Sequence, residues 1–325
     1  MKLGMIGTNF VSDWLAEAAA AVTDVKVHAV YSRKQETGDA FAGKHNIPHV
    51  YTDYEEFLQS DIDAVYIATP TYVHCPQAIE AMRHKKHVLC EKIMAVNERE
   101  AARMFACARE NQVVLLEAMR PDFDPALDVV KEYLPQIGKL RRVTMEYCQY
   151  SSRYDRFREG EVMNAFNPEL SNAAIMDIGV YCIHTLVRLL GMPEEVKAFS
   201  TKLHNGFEGN GIVLMQYKDL TAEAVYSKIT ESVNKSIFVG EEGSILIGKI
   251  SMPDSVEIVY RDGKREMLPY TPAENNMIYE VQEFARLVRE SCVEHPYQRY
   301  SLDTLRVTDE ARRQNGIVFQ ADSVL

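Results

Sequence analysis

Along the first 117 residues, short apolar runs alternate with longer stretches whose apolar positions recur every three or four residues. The runs at 2–6, 25–31, 49–51, 64–68, 87–90 and 113–117 are rich in β-branched residues and hardly alternate. That is the pattern of strands covered on both faces. The stretches at 14–22, 37–45, 76–84 and 98–111 predict amphipathic helices between them. Strand and helix in strict alternation predict a doubly wound parallel sheet of Rossmann type over residues 1–120.

Beyond "EAMRPDFDPAL" the pattern changes. Apolar runs with period-2 character fill much of residues 141–268, and "EEGS" and "RDGK" have the turn chemistry of hairpins. A helix at 170–190 interrupts the strands, and two more, at 272–291 and 302–314, close the chain. Residues 121–325 therefore predict an α+β domain with a large, mostly antiparallel open sheet suited to self-association. Helices cover one face of that sheet; the other invites a homodimer or homotetramer.

At 325 residues the chain suits two domains. Its formal charge of −11 argues against nucleic acid, whose phosphates demand a basic surface. The longest apolar stretch, "NAAIMDIGVYCIHTLVRLLGM", carries Asp, His and Arg, which argues against a membrane span. Met1 to Phe10 lacks the pattern of a secretory leader. Six cysteines without close spacing then read as free thiols in a cytoplasmic protein. Nine scattered histidines predict no metal site.

Three places carry chemistry. "GMIGTNF" joins the first strand to the first helix, where a dinucleotide fold turns its backbone N–H groups towards a pyrophosphate. Gly7, Thr8, Asn9 and Phe10 form the candidate loop, although Asn9 and Ser12 stand where the glycine fingerprint has its second and third glycines. Asn9 is expected to make the turn by adopting left-handed angles. The second strand ends in Ser32 and Arg33 without the acidic residue that holds an NAD ribose. Arginine beside a hydroxyl suits a 2′-phosphate, so the cofactor is read as NADP, with NAD as the alternative.

The fourth and fifth strands end in "ATPTYVH" and "VLCEKIMA", bringing Thr69, Pro70, His74, Glu91 and Lys92 to the same sheet edge. The third place is the helix "LSNAAIMDIGVYCIHTLVRLL". At about 100° per residue, Asp177, Tyr181, His184 and Arg188 fall within an arc of about 60°. A polar stripe on a buried helix either pairs internally, for example Asp177 with Arg188, or faces a cleft where acid–base chemistry can use it.

Together "GMIGTNF", "AVYSRK", "IATPTYVH", "CEKI" and "MDIGVYCIH" resemble, in order and spacing, the glucose–fructose oxidoreductase/inositol dehydrogenase/MocA (Gfo/Idh/MocA) family over essentially the whole chain. Tyrosine four residues after the aspartate is similar to the aldose and dihydrodiol dehydrogenase-like members; inositol dehydrogenase-like members carry histidine there. The resemblance implies an NAD(P)-dependent enzyme moving a hydride between nicotinamide and a hydroxyl-bearing carbon of a sugar, polyol or related small molecule. It implies Lys92 as the lysine of the Glu-Lys-Pro motif, contacting substrate oxygen and nicotinamide ribose. Asp177 would orient the substrate or the lysine, Tyr181 would be the acid–base group assisted by Lys92, and His184 would contact substrate.

Two positions depart from the family pattern. Ile93 replaces the motif proline, so the bend after Lys92 is not assured, and "SNAA" at 171–174 replaces a glycine-rich stretch. Arg153, Arg156 and Arg158 in "YSSRYDRFREG" are candidates to grip an anionic substrate group, or form a solvated or subunit-contact loop. Two further outcomes remain within such a fold: an NAD-dependent glycoside hydrolase and a sensor without turnover.

Overall fold

The computed structural model describes residues 1–323. Its elements begin with β1 (Lys2–Ile6), α1 (Phe10–Ala20), β2 (Lys26–Tyr31), α2 (Gln35–His45), β3 (His49–Tyr51) and α3 (Tyr54–Gln59). They continue with β4 (Ala64–Ile67), α4 (His74–Arg83), β5 (His87–Glu91), α5 (Glu98–Asn111) and β6 (Leu115–Ala118). The six strands pair in the order β3-β2-β1-β4-β5-β6, all parallel. Strand order reverses between β1 and β4, the place where open α/β sheets bind ligands at their carboxyl edge. Every residue of β4 and β6 is buried, which explains the unbroken apolar runs.

After α6 (Pro125–Tyr133) the chain builds β7 (Leu140–Cys148) and the short α7 (Tyr154–Arg158), then α8 (Val180–Leu190). Next come β8 (Glu195–Lys202), β9 (Glu208–Gln216), β10 (Thr221–Ser227), β11 (Ser236–Gly240), β12 (Gly243–Ile247), β13 (Val256–Tyr260) and β14 (Arg265–Met267). Helices α9 (Met277–Arg289) and α10 (Tyr297–Gln314) follow. The eight strands form one sheet, β14-β13-β12-β11-β7-β10-β9-β8, antiparallel except where β7 and β10 run parallel.

The chain divides into two compact units. The first holds residues 1–123 and 274–299; the second holds 124–273 and 300–325. Hydrophobic patterning carries one boundary, near 120, whereas the chain comes back: α9 buries Met277, Val281, Phe284 and Leu287 in the first unit's core with Leu15 and Ala19 of α1. Helix periodicity alone does not say which core an amphipathic helix joins.

The expected helix at 170–190 starts later and differently. Residues 168–170 form a 3₁₀ turn, Ser171 is left-handed at φ 55°, and Ile175–Gly179 is a π turn running into α8. Helices α3, α6 and α7 have no counterpart in the sequence reading; all are nine residues or shorter, too short for a clear period. No helix among the described residues is long and apolar enough to cross a membrane.

Candidate active site

In the first unit the turn after β1 is set by Gly7, at φ +109°; a Cβ there would lie 2.7 Å from the Ala68 carbonyl oxygen. Asn9 does something other than the left-handed turn expected of it. Its backbone is extended at φ −90°, and its side chain caps α1, accepting from the N–H groups of Val11 (2.9 Å) and Ser12 (3.1 Å). Its Nδ2 donates to the Ala68 carbonyl at 2.8 Å, tying the turn to the end of β4. Ser12 is fully buried, small enough for α1 to lie close to the sheet. Thr8 is half-buried, and Phe10 is exposed, edge-on to Trp14.

At the end of β2, Ser32 Oγ and Thr37 Oγ1 are hydrogen-bonded at 2.6 Å. Arg33 and Lys34 are exposed, and neither has an ion-pair partner among the described residues. Lys34 is also the N-cap of α2 and gives that helix no side-chain cap. Two cations thus stand at an uncapped helix N-terminus, a setting that favours an anion. The second cation, Lys34, went unnoticed in the sequence because the fingerprint draws attention to its neighbour.

The ends of β4 and β5 are held together from behind. Thr69 Oγ1 donates to Gln77 at 2.7 Å, and Pro70 is exposed at the start of a 3₁₀ turn over Thr71–Val73. His74, read as a cofactor contact, is 1% exposed. Its Nε2 lies 2.7 Å from the Thr69 carbonyl and its Nδ1 3.2 Å from the Ile93 carbonyl. Burial pushes its imidazole down to about 4, and a neutral ring has one N–H, so it donates to one of these two carbonyls at a time. The bend after Lys92 is present despite Ile93: the Lys92–Ile93 peptide is cis. Lys92 is half-buried.

Glu91 points the other way, into the unit. It accepts from the Tyr66 hydroxyl, and burial raises its carboxyl pKa. Glu280 of α9 is fully buried nearby, and neither carboxyl oxygen has a hydrogen-bond partner. Burial, followed by the charge of Glu91, pushes Glu280 well above the carboxylate range, so it is carried as the neutral acid.

In the second unit the predicted polar stripe is divided. The stripe assumed an even 100° per residue, and the π turn breaks that spacing between Asp177 and the rest of α8. Gly179 lets the turn lie on β10, since a Cβ there would come within 2.9 Å of the Tyr226 ring. Asp177 pairs with Lys228, Oδ2 to Nζ 2.6 Å, and Arg188 faces Asp128 at 3.6 Å. Tyr181 is 7% exposed, its ring 5.7 Å from that of Tyr147. His184, expected against substrate, is wholly buried with Nδ1 3.0 Å from Thr304 Oγ1 of α10. It is a helix-packing residue.

Glu208 and Lys228 were invisible in the sequence. Glu208 accepts from the Ile175 N–H (2.7 Å) and the Tyr226 hydroxyl (2.9 Å), securing the first residue of the π turn. Burial pushes its carboxyl up to about 7. No motif announces either residue, because each reaches the turn from a strand 30 or more positions away. The arginine loop is paired with itself: Arg156 with Glu161 at 2.6 Å and Arg158 with Asp155 at 3.6 Å.

Comparison with known proteins fixes the family. The profile described as "Oxidoreductase family, NAD-binding Rossmann fold" matches residues 1–119, and "GFO/IDH/MocA C-terminal domain" matches residues 135–246. Scyllo-inositol 2-dehydrogenase (NADP(+)) IolU of Bacillus subtilis (strain 168) is 45% identical over 325 residues, spanning 99% of each chain. The chain belongs to the Gfo/Idh/MocA family. Like other Gfo/Idh/MocA oxidoreductases it acts on CH–OH groups, and its first 119 residues match that family's NAD(P)-binding Rossmann domain.

Two further matches are more distant. The trans-1,2-dihydrobenzene-1,2-diol dehydrogenase of Danio rerio is 29% identical over 315 residues, covering 92% of this chain and 91% of that protein. Among solved structures, KijD10, a 3-ketoreductase from Actinomadura kijaniata in complex with NADP and TDP-benzene, matches with a TM-score of 0.86. That likeness, at 24% identity over 97% of this chain and 98% of the other, is one of fold.

Proposed function

We propose that the protein is an NADP-dependent dehydrogenase or reductase of a sugar or polyol. The observation that carries this reading is the 45% identity, over nearly the whole chain, to a relative named as an NADP(+)-dependent scyllo-inositol 2-dehydrogenase. Three features of the first unit fit the cofactor. Gly7 leaves room where a Cβ would collide, the turn after β1 precedes a helix N-terminus, and Arg33 with Lys34 offers two unpaired cations for a 2′-phosphate.

When bound, the nicotinamide ring supplies a hydride acceptor or donor at its C4. The chain's own groups handle the proton and the oxygen. In the oxidative direction Tyr181, as its phenolate, would take the proton from the substrate hydroxyl as the carbon gives up its hydride, leaving a carbonyl and a neutral tyrosine; reduction would return that proton from the tyrosine hydroxyl. Lys92 donates to that substrate oxygen and stabilises its negative charge as it develops. Asp177, held by its ion pair with Lys228, would orient a substrate hydroxyl. The same reading makes the second unit a substrate-binding and homo-oligomerising domain. On its sheet Phe199, Ile212 and Val225 lie side by side across β8, β9 and β10, and Phe199 is 65% exposed.

Absorbance at 340 nm tests the reading. With scyllo-inositol, myo-inositol and a panel of aldoses, NADP+ should be reduced faster than NAD+, and Arg33→Ala should narrow that preference at least tenfold. Faster turnover with NAD+ overturns the cofactor assignment. Sugar release from glycosides without net reduction identifies a hydrolase, and no turnover on any substrate favours a sensor.

A further inference from the structure

We propose that Lys228 is a positioning residue for the reaction: it holds Asp177 in place and couples that carboxylate to the segment 154–170. The inference rests on the reading of Asp177 as a substrate-orienting group. Its support is the environment of one ammonium. Lys228 directly follows β10, and its side chain is 5% exposed against 38% for Asp177. Nζ pairs with Asp177 Oδ2 at 2.6 Å and donates to the Ala165 carbonyl at 2.9 Å. The same nitrogen lies 5.2 Å from the centre of the Phe166 ring and 5.4 Å from that of Phe207.

This is a complete set of partners for a desolvated cation: one carboxylate, one carbonyl and two aromatic faces. Removing the cation would take from Asp177 its ion pair with Lys228, and from the turn at Asn164–Phe166 its tether. The main chain reinforces the tether, since Ser151 N–H donates to the Lys228 carbonyl at 3.0 Å. Phe166 in turn packs with Tyr154, Phe157 and Phe207. The order of residues 154–170 and the aim of Asp177 thus share one hub. Lys228 is too buried to touch substrate itself, so it acts through Asp177.

The test uses the full-length protein with NADP+ and scyllo-inositol, kcat and KM read separately. Lys228→Met should lower kcat about 10²-fold, the scale expected when a reacting group is misplaced by about 1 Å, with NADPH affinity unchanged. Lys228→Arg, which keeps the charge, should recover most of that loss. A Lys228→Met enzyme within twofold of the parent kcat, or an arginine variant no better than the methionine one, overturns the proposal. A second measurement needs no turnover. Asp177→Asn and Lys228→Met should each speed trypsin cleavage at Arg153, Arg156 and Arg158, and the double variant should be cut no faster than either. Unchanged protection in Asp177→Asn overturns the coupling. A parent enzyme inactive on scyllo-inositol defeats the functional reading, and the protease result still decides the role of Lys228.

Discussion

The two units position their chemistry by different means. In the first, backbone turns and short-range side-chain contacts do it: a left-handed Gly7, a helix capped by Asn9, a cis peptide after Lys92, and a buried His74 lying between two carbonyls. In the second, buried titratable side chains do it, with Glu208 and Lys228 fastening a π turn that carries Asp177. Backbone devices are local, and each is tied to a residue type that only glycine, asparagine or a strand end can fill. A buried charge network has no local signature, and the loss of one member leaves its partner desolvated.

Substitutions test this contrast. The largest effect belongs to the proposed proton-transfer group: Tyr181→Phe should reduce kcat by about 10²–10⁴ while NADPH still binds. Retention of full turnover removes Tyr181 from the chemistry and, with it, the reason for the second unit's network.

Glu208 gives the network a pH signature. Its folded carboxyl stands at about 7 against an ordinary value of 4.5, so the folded state holds the proton more tightly. The corresponding stability is fully present below pH 4.5 and is lost as pH rises through about 7. Glu208→Gln removes that dependence. Its denaturant midpoint should gain on the parent's between pH 5 and 7.5, by an amount on the order of 3 kcal/mol in stability at most. Parallel pH profiles would mean that Glu208 is ionised in the fold.

Backbone devices should yield smaller, local losses. Gly7→Ala forces a side chain into a left-handed position against a carbonyl, at a cost of about 1–3 kcal/mol. It should weaken NADPH binding more than it lowers kcat at saturating cofactor. Asn9→Ala removes a cap and the tie to Ala68, at about 1–2 kcal/mol, which a thermal melt detects. A melting loss for Asn9→Ala larger than that of Lys228→Met would reverse the proposed division between the two units.

The first unit was legible because its strands are apolar on both faces and its ligand-facing residues follow directly from strand ends. Gly7, Ser32, Thr69 and Lys92 all lie within two residues of a strand terminus. Even there the sequence misassigned mechanisms: Asn9 caps instead of turning left, and His74 lies buried between two carbonyls instead of contacting a ligand. In the second unit the strands and α8 were readable, but the stripe of Asp177, Tyr181, His184 and Arg188 was not one functional face. The π turn shifted its register, and Lys228, Thr304 and Asp128 claimed three of its members.

Period and composition alone therefore determined the two sheet types and the succession of strands and longer helices, and brought the candidate cofactor residues to one sheet edge. These depend on neighbours close in sequence, where alternation and capping chemistry act. Only the tertiary structure decided which core α9 joins, which charges meet Asp177 and which polar residues are buried. Those outcomes depend on contacts between residues far apart in the chain, and a one-dimensional pattern does not record the low-dielectric setting in which such pairs form.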